Sequence, residues 1–394
     1  MNRAEEISDS IPNDVLLEIF SRLPAKSVGR FRCVSKQWGS MLRHRYFTEL
    51  FLTMSRARPR LLFALNRDNE WSFFSTPQLH NPYGNSTSLE ATFHMKLSQF
   101  SLVYGTTFSC LTSGLMYFSS VRISPKEWDN GVHVIFNPTS RQYVSLPRAI
   151  GSNSFIGFDP IDKQHKVLLT GRGGNHRVLT LGTGETMWRK IQCPLTHYPL
   201  ESDKGICING VLYYLAATYK RDTKWINYKG KLGVIECVIN RDIAELRLCV
   251  LGDVEKQEWS KYVYTLPPDD IKAKAVDSRN VYVVGMTATG EIVLADKYVS
   301  SKRLHVFYFN PERSTFQSVE ILGIGEYYRQ MPHHRVFAFV DVVEDLHVND
   351  AKYLKSSQGL NIIREMPKPI IRKCQNRSLG NCQSHTISAT QLHC

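Results

Sequence analysis

The sequence predicts a multidomain α+β chain, in which three short helices precede an all-β domain of the propeller type and a flexible C-terminal tail. Three observations carry this prediction. Helix-period patterns separated by Pro and Ser occupy residues 11–42, short apolar runs broken by turn residues fill residues 60–345, and a polar segment without periodicity begins at Met366. The 394 residues leave room for about two or three domains.

The first predicted helix has a defined beginning and end. Pro12 suits the first turn of a helix, and Asn13 or Asp14 is a candidate N-cap. Apolar residues then recur at helical spacing through Phe20, until Pro24 ends the run.

Two further short helices are predicted after Pro24. Val28 and Phe31 mark the apolar side of the second helix, and Ser35 is the predicted N-cap of a third helix that carries Trp38. Modules below about 40 residues rarely close a core alone, so some apolar residues must face another surface. Periodicity leaves open whether that surface is a partner protein or the chain's own downstream domain.

The same residues resemble the F-box of a large plant family. Ile11-Pro12 takes the place of the family's Leu-Pro opening, and Arg22–Ser27 and Arg30–Trp38 follow its usual sequence. Gly29 departs from the pattern, because the family usually has Leu or Ala there and a glycine inside a helix costs about 1 kcal/mol relative to alanine.

This resemblance implies a partner. An F-box binds a Skp-type adaptor and, through it, cullin and RING subunits, so the chain would be the substrate-recognition subunit of an SCF-type E3 ubiquitin ligase. The adaptor-facing or core-forming positions carried over from the motif are Ile11, Pro12, Leu16, Leu17, Ile19, Phe20, Leu23, Pro24, Val28, Phe31, Val34 and Trp38. The motif does not separate the two roles.

Strands are predicted from runs rich in β-branched and aromatic residues, with turn residues roughly every 8–12 positions. Asn209-Gly210 is the strongest hairpin signal, because both residues tolerate the positive φ of a type I′ turn. The predicted strands include Arg60–Leu65, His133–Phe136, Lys166–Leu169, Val211–Leu215, Val281–Val284 and Leu304–Tyr308.

Weak internal repetition favours a propeller over a sandwich. The phrase Phe-Asn-Pro ends an apolar strand at Phe136 and again at Phe309, and Gly157–Pro160 (GFDP) is a related phrase. Together with Trp188–Ile191 and Gly205–Ala216, these phrases resemble the F-box-associated domain of plants, which implies an irregular β-propeller used to capture substrate.

The two resemblances divide the chain into an F-box at 8–46, a linker helix at 47–59, the F-box-associated domain at 60–350 and a flexible tail at 351–394. Substrate-contacting loops are expected at Asp68–Asn85 and Lys220–Lys231, because such loops vary without disturbing the fold.

The sequence predicts neither a catalytic site nor a cofactor or metal. Gly171–Gly174 and Gly182–Gly184 lack the Lys-Ser/Thr of a phosphate loop and are interpreted as hairpin turns. His333-His334 and the acidic residues Asp341, Glu344 and Asp345 are interpreted as solvated surface. The alternative from another class is a stand-alone propeller enzyme or a glycan-binding lectin, which would need convergent polar groups in a central pocket.

The net charge and the cysteine content narrow the kinds of partner and the cellular compartment that we expect. The net charge is +13, and the basic residues cluster between Arg22 and Arg60, which favours acidic protein surfaces over nucleic acid since no nucleic-acid motif accompanies them. The nine cysteines lack any C-x-x-C pair and are expected to be reduced. Without a predicted signal peptide or membrane span, we expect a nuclear or cytoplasmic protein.

Overall fold

A computed structural model gives the architecture of the chain. It describes residues 11–67, 70–79, 88–97, 101–102, 108–112, 114–122, 132–138, 142–147, 149, 151, 153–171, 175–181, 187–192, 205–215, 223–239, 244–253, 256, 258–267, 271, 281–299, 304–324, 334–346, 362–363 and 389–393.

Four helices form the N-terminal module: α1 Asn13–Ser21, α2 Ala25–Phe31, α3 Lys36–Met41 and α4 Arg45–Arg56. The three helices predicted from the sequence are confirmed, and Ser35 caps α3, since its Oγ accepts a hydrogen bond from the Trp38 backbone N–H at 3.1 Å. The predicted cap of the first helix is wrong. α1 begins directly after Pro12, and no side chain, including those of Asn13 and Asp14, accepts a capping hydrogen bond there.

Strands fill the rest of the described chain. Those of its first half are β1 Arg60–Arg67, β2 Glu70–Pro77, β3 Ser88–Glu90, β4 Thr92–Leu97, β5 Ser101–Leu102, β6 Phe108–Thr112, β7 Leu115–Arg122, β8 Val132–Asn137, β9 Gln142–Ser145, β10 Asn153–Asp159, β11 Gln164–Thr170, β12 Asn175–Thr180 and β13 Arg189–Gln192. Those of its second half are β14 Gly205–Ile208, β15 Val211–Leu215, β16 Thr223–Tyr228, β17 Lys231–Ile239, β18 Ala244–Asp253, β19 Glu258–Thr265, β20 Val281–Met286, β21 Ile292–Asp296, β22 Tyr298–Val299, β23 His305–Asn310, β24 Thr315–Leu322, β25 His334–Val342, β26 Ile362–Ile363 and β27 Ala389–His393.

These strands are arranged as a five-bladed β-propeller. The blades are β25-β1-β2-β4, β6-β7-β8-β9, β10-β11-β12-β13, β16-β17-β18-β19 and β20-β21-β23-β24, and the smaller sheet β14-β15-β27 lies between the third and fourth blades. The predicted all-β domain is confirmed, and the predicted strand runs fall on β1, β8, β11, β15, β20 and β23.

Residues far apart in sequence close the ring. β1 pairs with β25 in antiparallel register, with Leu65 opposite Val336 and Arg60 opposite Val342. A second ladder joins the first and fifth blades, because β3, between β2 and β4 in sequence, pairs in parallel with β24 of the fifth blade. The first and last blades are therefore held together by backbone hydrogen bonds as well as by the core between them.

The helical module completes its core with a residue from beyond β25. Phe20 of α1, Val28 of α2 and Phe47 and Phe51 of α4 are buried in one cluster, and Leu346 in the same cluster is 1% exposed. Three short helices cannot bury enough apolar surface by themselves. α4 and Leu346 supply the missing contacts and attach the module to the propeller.

Tight turns lie at the end of the propeller that faces this module. Around the ring, turn residues approach or bond to one another in the pairs Gly114 with Val343, Pro160 with Gly210, Asn209 with Gly230, Lys229 with Glu312, and Ala288 with Asp341. The predicted type I′ turn is confirmed, since φ is 50° at Asn209 and 81° at Gly210.

Two of the repeated sequence phrases share one turn chemistry. Asn310 Oδ1 accepts hydrogen bonds from the backbone N–H groups of Glu312 and Arg313 at 2.9 and 3.0 Å. Asp159 Oδ1 likewise accepts from Ile161 and from the residue after it, at 2.9 and 3.2 Å. The Asn or Asp before Pro therefore satisfies the backbone donors of the turn that follows it.

Two predicted loops contain strands instead. Within Asp68–Asn85, residues 70–77 form β2, and within Lys220–Lys231, residues 223–228 form β16 and residues 229–230 a tight turn. Polar residues obscured these strands, because β2 and β16 carry Ser, Thr, Asn and Lys between their aromatic residues. In the predicted tail, the described residues 362–363 and 389–393 are strands β26 and β27, which pair with β4 and β15. The predicted turns at 172–174 and 182–184 lie outside the described residues.

Asp341 lies at the closure of the ring, in the left-handed region with a φ of 52°. Its carboxylate accepts hydrogen bonds from Gln78 Nε2 at 2.6 Å and from the Ala288 N–H at 2.8 Å, and its own N–H donates to Gln78 Oε1 at 2.8 Å. The two strands β2 and β25 of the first blade therefore meet the β20–β21 turn of the last blade at one side chain.

We predict that Asp341→Ala lowers the free energy of unfolding by about 1–3 kcal/mol, because it leaves the Nε2 donor of the buried Gln78 without this partner. Asp341→Gly removes the same hydrogen bonds but tolerates the positive φ, so it should cost about 1 kcal/mol less than Asp341→Ala. Urea unfolding of both variants beside the exposed control Asp162→Ala measures this. Equal stability of Asp341→Ala and the control would contradict the role of Asp341 in closure.

Candidate adaptor-docking face

The structure separates the predicted adaptor-binding residues by burial. Phe20 and Val28 are buried, at 3% and 0% exposure, and belong to the core of the helical module. The half-buried positions are Leu16, Leu17, Leu23, Phe31 and Trp38, and the exposed ones are Ile11, Pro12, Ile19, Pro24 and Val34. The two roles that the motif left unresolved are therefore assigned to different residues.

An aromatic cluster holds the three short helices together. The ring centroids of Phe20 and Phe31 are 4.9 Å apart, those of Phe20 and Trp38 are 5.1 Å apart, and those of Phe31 and Trp38 are 5.7 Å apart. Such tilted and edge-on ring pairs stabilise the fold beyond the contribution of the apolar area that they bury. Each helix contributes one ring, so the cluster fixes the positions of α1, α2 and α3 relative to one another.

One side of α1 is apolar and exposed. Ile11, Val15 and Ile19 are spaced four residues apart and are 54%, 44% and 45% exposed, and Val34, in the turn between α2 and α3, is 64% exposed. The motif comparison missed Val15, although the spacing of Ile11 and Ile19 could have indicated it. Apolar residues concentrated on one helix face in this way are typical of a surface that another protein covers.

Glu344 connects this module to the propeller. Its Oε2 accepts a hydrogen bond from the N–H of Ala25, the first residue of α2, at 2.8 Å. Its own N–H donates to Ser55 Oγ at 2.8 Å. The prediction that the acidic residues around 341–345 form a solvated surface is therefore wrong for Glu344 and Asp341.

Arg58 makes the complementary contact at the end of α1. Its guanidinium group donates to the backbone carbonyls of Arg22 and Ser21 at 2.6 and 2.9 Å. These carbonyls end a helix and lack partners within it. An acid at the start of α2 and a base at the end of α1 match the direction of the helix dipoles.

The electrostatics of this junction follow from burial. Burial raises the pKa of the Glu344 carboxyl above its usual value, and the Ala25 N–H and the guanidinium groups of Arg60 and Arg58 oppose that rise. Burial also lowers the pKa of Arg60, and Glu344 opposes that change. The junction therefore contains charges that are withdrawn from water and that stabilise one another.

Gly29 does not create a packing defect. No atom lies within 4 Å of the position that a Cβ would occupy there. The departure from the usual motif therefore affects helix propensity alone.

Two structural features are absent from the part of the chain that the structure describes. Those residues contain no group of three or more His, Cys, Asp or Glu side chains that could hold a metal ion. Within the same residues, no helix is both long and apolar enough to cross a bilayer.

Comparisons with known proteins agree with this geometry. A model of the F-box domain matches residues 8–50, and a model of the F-box associated beta propeller domain matches residues 60–226 and 218–343. The chain belongs to the F-box protein family.

Arabidopsis thaliana relatives of this F-box protein match it over most of their length. The putative F-box protein At5g42430 is 47% identical over 384 residues, which cover 87% of this chain and 92% of the relative. The F-box protein At1g47340 is 44% identical over 407 residues, which cover 90% and 87%. The F-box protein At3g57590 is 44% identical over 396 residues, which cover 89% and 94%.

We predict that Glu344→Gln changes the pH dependence of stability of this F-box protein. The folded carboxyl has a raised pKa, so between its usual value and the raised one the folded state binds more protons than the unfolded state. The stability of the wild type should therefore fall relative to Glu344→Gln as pH rises through this window, and the difference should be constant above it. Glutamine retains an acceptor for the Ala25 N–H but does not titrate.

Urea unfolding of both proteins at a series of pH values measures this difference. Glu258→Gln, on the exposed surface, is the matched control. A difference that does not vary with pH, or that varies in the opposite direction, would contradict the burial of the Glu344 charge at this junction.

We also predict that Gly29→Ala raises the stability of the helical module by about 0.5–1 kcal/mol, because alanine favours the helix and the added Cβ meets open space. Thermal unfolding followed by far-ultraviolet circular dichroism measures the change. A destabilised Gly29→Ala variant would contradict the open environment of this position.

Proposed function

We propose that this protein is the substrate-recognition subunit of an SCF-type ubiquitin ligase. The F-box docks a Skp-type adaptor, which links it to cullin and RING subunits, and the propeller binds the protein to be ubiquitinated. The observation that carries the proposal is the exposure of four large apolar residues, Ile11, Val15, Ile19 and Val34, on an F-box module whose own core is already closed.

The arrangement of the connections supports a division of labour between the two ends of the propeller. The end that faces the F-box carries short turns that contact one another around the ring. We infer that the substrate binds at the opposite end, because a substrate there does not contact the adaptor. Variable connections on a rigid scaffold are common binding surfaces.

A rigid junction supports the proposed mechanism, which is proximity. Holding two partners at a fixed separation raises the effective concentration of one group near the other. Glu344, Arg58 and Leu346 fix the F-box on the propeller by hydrogen bonds and by core packing. The chain then needs no catalytic residue of its own, which agrees with the generally non-catalytic character of F-box proteins.

The proposal places the protein in the nucleus or the cytoplasm. Cys33 and Cys249 have free thiols, which suits a reducing compartment.

We predict that Ile19→Asp combined with Val34→Asp weakens binding of a Skp-type adaptor at least about thirtyfold, since truncating an anchor residue of an interface costs about 2 kcal/mol or more. Both residues are exposed, so folding should be unaffected. Phe20 is unsuitable for this test because it is buried, and a charge there would unfold the module.

The matched control is Ile161→Asp, which introduces the same charge at an isoleucine that is 90% exposed on the propeller. Its affinity for the adaptor should equal that of the wild type in isothermal titration calorimetry, with folding checked by circular dichroism. Absence of adaptor binding by the folded wild-type protein would refute the proposed function.

A further inference from the structure

An open groove of about 820 Å³ lies on the F-box, between the α2–α3 turn and the end of α3. Its lining includes Arg32, Lys36, Arg43 and His44, and none of the residues that line it is acidic. Val34, 64% exposed, is part of the same lining. The groove therefore combines several cationic groups with one apolar residue of the docking face.

Two of these cations are held in place by the backbone. The Arg32 guanidinium donates from Nε and Nη2 to the Leu42 carbonyl at 3.2 and 2.7 Å, and Arg43 Nη1 donates to the Gly39 carbonyl at 3.0 Å. Side chains that are already ordered lose less conformational entropy when a ligand binds. Lys36 lies at the exposed start of α3 and can move toward a bound anion.

The acidic residues of α1 and α4 do not neutralise this groove. Glu18 pairs with Arg22 at 2.5 Å and Glu49 pairs with Arg45 at 2.9 Å, and none of these four residues lines the groove. The positive potential of the groove is therefore directed toward whatever covers Val34.

We propose that this groove binds a carboxylate-rich segment of the Skp-type adaptor, beside the apolar face that the adaptor covers. The inference rests on the proposed function and extends it by naming a second, electrostatic part of the same interface. A groove whose lining combines cationic side chains with an apolar residue fits an acidic peptide. Nucleic acid would instead be expected to follow an extended basic stripe along its phosphate backbone.

The test measures the affinity and association rate of the full-length chain for a recombinant Arabidopsis thaliana Skp-type adaptor, at about 50 mM and about 500 mM NaCl. Lys36→Glu should weaken binding roughly tenfold at low salt, mainly through the association rate, and by less than about threefold at high salt. Adding Arg43→Glu should increase both effects.

Arg56→Glu is the matched control, because it makes the same charge change on an exposed residue of the same module that does not line the groove. Its affinity should stay within about twofold of the wild type. If Arg56→Glu weakened adaptor binding as much as Lys36→Glu does, the loss of affinity would follow from the net charge of the protein and not from the groove. That result would overturn the proposal. Salt-independent binding of the adaptor, unaffected by Lys36→Glu, would overturn it while leaving the proposed function intact.

A second measurement separates the groove from the identity of its partner. A fluorescent ten-residue polyglutamate peptide should bind the wild-type chain and the Arg56→Glu variant, and should bind Lys36→Glu/Arg43→Glu more weakly by about tenfold or more. One outcome is that the adaptor fails to bind while the peptide binds the wild type and Arg56→Glu more tightly than Lys36→Glu/Arg43→Glu. In that case the proposed function is refuted, and the preference of the groove for acidic peptides is supported. Equal peptide binding by all three proteins would overturn that specificity.

Discussion

The segment that follows the last propeller strand is the constraint on which the two-domain arrangement depends. β25 closes the propeller by pairing with β1, and the next four residues carry Glu344 to the start of α2 and Leu346 into the core of the F-box. One short stretch of backbone thus completes a sheet and a helical core. The orientation of the F-box is fixed by the same segment that closes the ring, because no linker separates β25 from the residues that contact the F-box.

Polar groups make this junction specific. Apolar contacts such as that of Leu346 tolerate small rotations, whereas the hydrogen bonds of Glu344 and Arg58 require backbone groups at particular helix ends. Burial of charged side chains is unfavourable unless each finds partners. The Ala25 N–H and the two neighbouring arginines provide those partners for Glu344, so the native orientation of the F-box satisfies groups that another orientation would leave unpaired.

The sequence predicted features that depend on local patterns. The three helices, the cap at Ser35, the type I′ turn at Asn209-Gly210 and the all-β texture each follow from residues within one turn or strand of each other. Contacts across the chain could not be predicted in this way. Glu344 resembled a solvated acid because its partners are some 319 residues away, and Val15 was overlooked because only the structure shows which side of α1 remains uncovered.

Closure by Leu346 has a consequence for synthesis on the ribosome. The F-box is translated first, yet its core lacks one wall until nearly the whole propeller has emerged. A nascent or truncated chain that ends before Leu346 therefore presents an incomplete F-box core. Completion of the F-box core is therefore coupled to synthesis of the propeller by the order of the polypeptide.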